Sequence, residues 1–271
     1  MSNSQISTAG ALVDYHTGLL WQEGRSIVLA DDVNILRLAG SYTAGDNSVW
    51  SIAGTGAADA DGTFDPTTGG FLLTSDGSGG SADDECAMIL NADSTMRGAI
   101  AATVAKHPAF LTLIRTPATI TEYQILVGLG SDDNADAPYD AGGGEVDAAS
   151  FGATSVFGGF TYDTDDSDDT NGKWRVVFKD TGTVTASRLE YDSPVDFEAS
   201  TWYFIKCWVD ADAKMQLLIQ NLSADTSSYK YTTAALATST NRLGGTVGIS
   251  SLTTVDNTVS VVKPRFACDL I

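Results

Sequence analysis

The 271-residue sequence predicts an all-β fold, an antiparallel sandwich or barrel with many loops, and three observations carry that prediction. Asp outnumbers Glu by 29 to 6 and Lys numbers only 7, whereas exposed helical faces are built on Glu and Lys. The 27 glycines, with abundant Ser, Thr and Asp, are the residues of turns and short connections. From about residue 48, short apolar segments alternate with Gly, Asp, Asn and Ser clusters, the pattern of antiparallel strands. A hydrophobic content of 43%, with no apolar run near 18 residues, describes a globular chain able to bury a large core.

Taken in order, residues 1–45 read differently from the rest. The stretch GLLWQEGRSIVLADDVNILRLAGSY is apolar but lacks the regular turn punctuation that follows, so it is expected to be an N-terminal arm or attachment segment. Leu19, Leu20, Trp21 and Leu36 are its candidate partner-binding residues. Residues 46–271 are expected to form a single sandwich with Gly/Asp-rich insert loops. GFLLT and CAMIL flank the loop SDGSGGSADDE, and FLTLIRT and YQILVGL follow around Pro117. Residues 94–107 are the best helix candidate, with Ser94 as cap, although Gly98 and two threonines weaken it.

The clearest strand is WYFIKCWV. Tyr203, Ile205, Cys207 and Val209 share one face, and Trp202, Phe204, Lys206 and Trp208 share the other. The turn DADAK then leads into MQLLIQN, giving a hairpin of long central strands. GTVGIS and NTVSVVKPRFACDL supply two more strands.

The net charge of −20 argues against nucleic acid and anionic membrane surfaces, because the 15 basic residues form no run. The opening MSNSQISTAG has no basic segment followed by an apolar one, so a secretion signal is not recognisable and synthesis in a cytoplasm is expected. Cys86, Cys207 and Cys268 are odd in number and lie in strand-like contexts, which fits reduced core thiols better than disulfides or zinc.

The order of elements resembles the jelly-roll sandwiches called concanavalin A-like or laminin-G-like: KWRVVFKD, a Thr/Gly-rich turn, STWYFIKCWVDADAKMQLLIQN, GTVGIS and a last strand. In that family a W-Y-x-I-x-x-x-V-D phrase, a short turn and x-L-x-I recur as a hairpin of the curved sheet. The resemblance covers roughly residues 65–271. Within this class, GGFLLTSDGS ahead of ILVGLGSDDN and an acidic, Gly-rich insert is similar to structural proteins of tailed bacteriophages. The fold this implies is an all-β, antiparallel two-sheet jelly roll with an extended N-terminal arm. The role it implies is that of a virion protein that contacts capsid or other virion proteins and forms a homo-oligomer.

Candidate chemistry is sparse. YDTDDSDDTNGKW holds five aspartates, and Asp163, Asp165 and Asp168 are the weak candidates for a calcium site. An EF-hand needs Gly at its sixth and a bidentate Glu at its twelfth position; with Gly172 sixth, the twelfth is Phe178, and with Gly62 sixth it is Thr68. A solvated loop without bound metal is the expectation. Glu145 and Asp147 match the start of the Glu-x-Asp-x-x-Glu motif of retaining glycosidases of this fold, but Ser150 stands where the second glutamate would donate a proton. His16 and His107 lie in no motif.

The reading that follows is of a non-enzymatic structural virion protein, a capsid decoration or head-attached protein. The alternative is a carbohydrate-binding module of a tail fibre or secreted protein, with Trp202, Phe204 and Trp208 facing the surface glycan.

Overall fold

The computed structural model describes side chains for residues 67, 70–75, 103–119, 123–130, 156–164, 172–180, 192–223, 228–236, 242–251 and 256–269 apart from 263. It describes the backbone alone for the strands at 4–6, 11–14, 19–22, 26–30, 50–53, 61–65 and 85–90, and at 102 and 188–191. Its strands are β1 (Ser4–Ile6), β2 (Ala11–Asp14), β3 (Leu19–Gln22), β4 (Ser26–Ala30), β5 (Trp50–Ala53), β6 (Asp61–Asp65), β7 (Gly70–Ser75), β8 (Glu85–Leu90), β9 (Ala102–Thr103) and β10 (Ala109–Arg115). They continue as β11 (Tyr123–Gly130), β12 (Phe157–Asp163), β13 (Lys173–Lys179), β14 (Arg188–Asp196), β15 (Trp202–Val209), β16 (Lys214–Asn221), β17 (Ser228–Ala235), β18 (Arg242–Ser251) and β19 (Asn257–Asp269).

Two eight-stranded antiparallel sheets make the sandwich. The first runs β17-β16-β15-β10-β19-β7-β6, with β4 also on β19. The second runs β14-β13-β12-β11-β18-β8-β5, with β9 also on β18. β19 is long enough to hold two partners on one edge: Asn257–Val261 pair with β7 and Arg265–Asp269 with β4, while β10 takes the other edge. A register shift opposite Leu111–Leu113 falls beside Pro264, which has no N–H to give to the ladder. Of the N-terminal segment, β1–β3 form a sheet of their own, whereas Ser26–Ala30 belongs to the sandwich.

Alternation explains the core. From the first sheet Phe110, Ile114, Tyr203, Ile205, Cys207, Val209, Leu217 and Ile219 point inward, and from the second Ile125, Val127, Phe160, Trp174, Val176, Val247 and Ile249 meet them. At one end the rings cluster. Tyr162 stacks on Phe197 at 3.6 Å between centroids, and Trp174 meets Tyr203 edge-on at 5.3 Å. The Tyr203 hydroxyl donates to the Asp196 carbonyl (2.8 Å) and accepts from the Glu198 amide (2.9 Å), tying the end of β14 to β15.

The helix expected at 94–107 is corrected over its described part. Ala102–Thr103 is strand, and Val104–Lys106 makes one 3-10 turn that ends at His107 in the left-handed region, φ 46°. The β-branched Thr103 and Val104 resist helix, and Pro108 bars its neighbour from helical geometry. Residues 94–101 lie outside the described residues.

Candidate functional site

The two sheets differ on their outer faces. On the second sheet that face is closed: Gln124, Leu126, Phe157, Thr161, Asp163, Arg175, Val177 and Lys179 are all buried, although none of them belongs to the core between the sheets. Gly128 and Gly159 face each other in register, and a Cβ on Gly128 would stand 2.4 Å from Phe157 Cζ. The bare backbone is therefore what lets the Phe157 ring lie against the sheet.

The same closed face corrects the expectation of a solvated loop where it begins. Asp163 is 3% exposed and accepts a hydrogen bond from Gln124 Nε2 at 2.8 Å. It is the last residue of β12, and strand pairing with Gln124 fixes its carboxyl beside the amide. Asp165 and Asp168 lie outside the described residues. Among the described residues no three His, Cys, Asp or Glu side chains gather as metal ligands would.

The outer face of the first sheet is half open. β15 alternates without a break: Tyr203, Ile205, Cys207 and Val209 are buried, and Trp202, Phe204, Lys206 and Trp208 are half-buried. Register extends this stripe sideways. Lys206 lies between Leu111 of β10 and Leu218 of β16, and Leu218 in turn lies beside Lys230 of β17. Phe204 lies between Leu113 and Gln220, and Arg115 lies beside Trp202. Leu113 and Leu218 are half-buried, and Leu222, just beyond β16, is 47% exposed. The result is an apolar face with cations set into it.

Lys206 and Lys230 converge on one ring. Their ammonium nitrogens stand 4.7 and 5.1 Å from the Trp208 ring centroid, within cation–π range. Burial first, and then Lys230, hold Lys206 below the ordinary lysine range. Gln216 is fixed next to Trp208: its Nε2 donates to Asp210 Oδ2 (2.6 Å), and its Oε1 accepts from the Thr232 hydroxyl (2.7 Å). At the other end Arg115 Nε donates to the Ser200 carbonyl (3.2 Å).

The structure thus brings together Trp202, Phe204 and Trp208 as sequence alternation requires. It adds Arg115, Leu113, Leu218 and Lys230, which the sequence did not single out. Lys230 carries a faint signal, the alternating SYKYTT segment, but only the β15-β16-β17 register places it by Trp208. Leu19, Leu20 and Trp21 fall on β3, described in backbone alone. Leu36, His16, Glu145, Asp147 and Ser150 lie outside the described residues. His107 Nδ1 and Asp269 Oδ2 are 2.8 Å apart, joining the turn before β10 to the end of β19. Cys207 and Cys268 are free thiols, Cys207 in the core with its pKa raised by burial; the Cys86 side chain is not among those described.

No protein-family model and no curated protein sequence matches the chain. Solved structures do. Peanut lectin, solved with a nine-residue peptide, aligns at TM-score 0.55 and 11% identity over 91% of this chain and 98% of its own. Lectin I from Ulex europaeus, solved with the methyl glycoside of α-L-fucose, aligns at 0.53 and 12% over 90% and 98%. A protein of unknown function from Shewanella oneidensis MR-1 aligns at 0.53 and 12% over 90% and 87%. The chain has the concanavalin A-like jelly-roll fold that these lectins share, a likeness of fold.

Proposed function

We propose that this chain is a non-enzymatic structural protein of a tailed-bacteriophage virion, a capsid decoration or head-attached protein that docks through the outer face of the first sheet. The observation that carries the reading is the half-buried row Trp202, Phe204, Trp208, widened by Leu113, Leu218 and Leu222 into an apolar face. Trp and Arg are the residues around which protein contacts concentrate their energy, and Arg115 borders the row. Ser150, in place of the second carboxyl of the Glu145–Asp147 near-match, supports the non-enzymatic part. The N-terminal segment, with Leu19, Leu20, Trp21 and Leu36, is the proposed attachment arm. Immunogold electron microscopy of purified particles tests this: labelled particles are expected, and particles free of the protein would overturn it.

A second reading is favoured by the fold. Two of the aligned lectins were solved as lectins, one with a fucoside bound, and the same aromatic row could stack on sugar rings. A glycan array separates the two readings, since a sugar ligand lost on Trp208→Ala supports carbohydrate binding.

A further inference from the structure

The Lys206–Trp208–Lys230 group is a local inversion of charge on a strongly acidic chain. Two lysines that register separates by one intervening strand bring both ammonium groups to a single indole. Arg115 adds a third cation on the same face. No ion pair joins either lysine to a carboxylate among the described residues. The chain meanwhile carries 35 acidic residues against 15 basic ones.

We infer that Lys206, Trp208 and Lys230 form a receiving site for the carboxylates of a second copy of this chain, in a head-to-tail contact. Charge complementarity decides the occupant and the symmetry. A two-fold contact of this face with itself would bring two sets of Arg115, Lys206 and Lys230 into one interface, and like charges gathered at an interface oppose binding. The chain carries 35 acidic residues and none belongs to this group, so the carboxylates that dock come from elsewhere on it and donor and receiver differ. A contact of that kind repeats, closing as a ring or extending as a row. Net repulsion between two such acidic bodies reaches only about 8 Å at physiological ionic strength, so at contact the local cations govern orientation. An arriving carboxylate also relieves the Lys206–Lys230 repulsion and raises the proton affinity of Lys206. The inference rests on the reading of this face as a protein contact.

Sedimentation velocity of the purified chain, from micromolar to near-millimolar concentration at physiological salt, is the test. The expected result is an average mass that keeps growing with concentration and falls back to monomer in molar salt. Lys206→Gln/Lys230→Gln should weaken association roughly tenfold or more. NMR titration of the lysine Cε signals should show the Lys206 pKa rising with protein concentration in the parent, a change that loss of folding would not produce. A short oligo-aspartate peptide should compete. Monomer at every concentration overturns the inference, as does a closed dimer indifferent to the double variant. Binding of an oligogalacturonide to this face in place of a second copy also overturns it, in favour of an anionic sugar. Particle labelling answers the virion reading separately, so failure here does not imply failure there.

Discussion

Tyr203 shows how much one hydroxyl does when it stands between two strands. Its O–H satisfies the Asp196 carbonyl and takes the Glu198 amide, so Tyr203→Phe strands a donor and an acceptor while keeping the ring stack. A loss of about 1–3 kcal/mol is expected, read by urea denaturation. Burial pushes the phenol from 10.0 up to about 12. The folded state then favours the neutral form: the stability this supplies is whole below pH 10 and is lost as pH rises through 12. The parent should therefore weaken across that window more steeply than Tyr203→Phe, with Tyr123, also raised by burial, left as the residual slope.

Lys206 gives a second prediction at this scale, of opposite sign. Its folded pKa is lowered, so the charged form is disfavoured on folding and stability rises as pH climbs from that lowered value toward 10.5. Lys230→Met removes one of the two causes and should move the Lys206 pKa back toward 10.5, measured by Cε chemical shift.

Among the elements, glycine decides where strands can approach. A Cβ on Gly245 would lie 2.3 Å from Phe110 Cδ2, with two more ring atoms within 2.7 Å, so Gly245→Ala overpacks the core between β18 and β10. Such a change costs about 1–3 kcal/mol, which chemical denaturation would register; an unchanged midpoint would mean that Phe110 yields freely. The same chemistry explains what the sequence concealed. WYFIKCWV and MQLLIQN are legible because large side chains alternate with period two. FGGFTYD, which is β12, has glycines at Gly158 and Gly159 where alternation should show, because Met215 Sδ and the Val127 carbonyl, each 2.3 Å from where a Cβ would stand, occupy the space a side chain would need. The aromatic half of the candidate site was readable from one strand; its cationic half depends on pairing across three, and pairing leaves no trace in local spacing.

At the scale of the whole molecule, the open face of the first sheet and the closed face of the second give the sandwich two unlike sides. Catalysis and tight calcium binding are both expected to fail. The purified chain should release no sugar from β-glucans, and any turnover abolished by Glu145→Gln would contradict the Ser150 argument. Calorimetric titration of chelator-stripped protein should detect no micromolar calcium site, because Asp163 is already engaged by Gln124 inside a buried face. Binding lost on Asp165→Asn or Asp168→Asn would refute that expectation.

β19 has a consequence for how the chain is made. It follows every other described strand in sequence, yet it sits inside the first sheet with β10 on one edge and β7 and β4 on the other. While the ribosome is still adding residues, β7 and β10 wait more than a hundred positions for the partner that joins them, and the half-built sheet shows bare edges to its surroundings. The first sheet can close only after β19 has left the ribosome, so a nascent chain stalled before Asn257 should be a substrate for chaperones and proteases, not a shortened but folded protein.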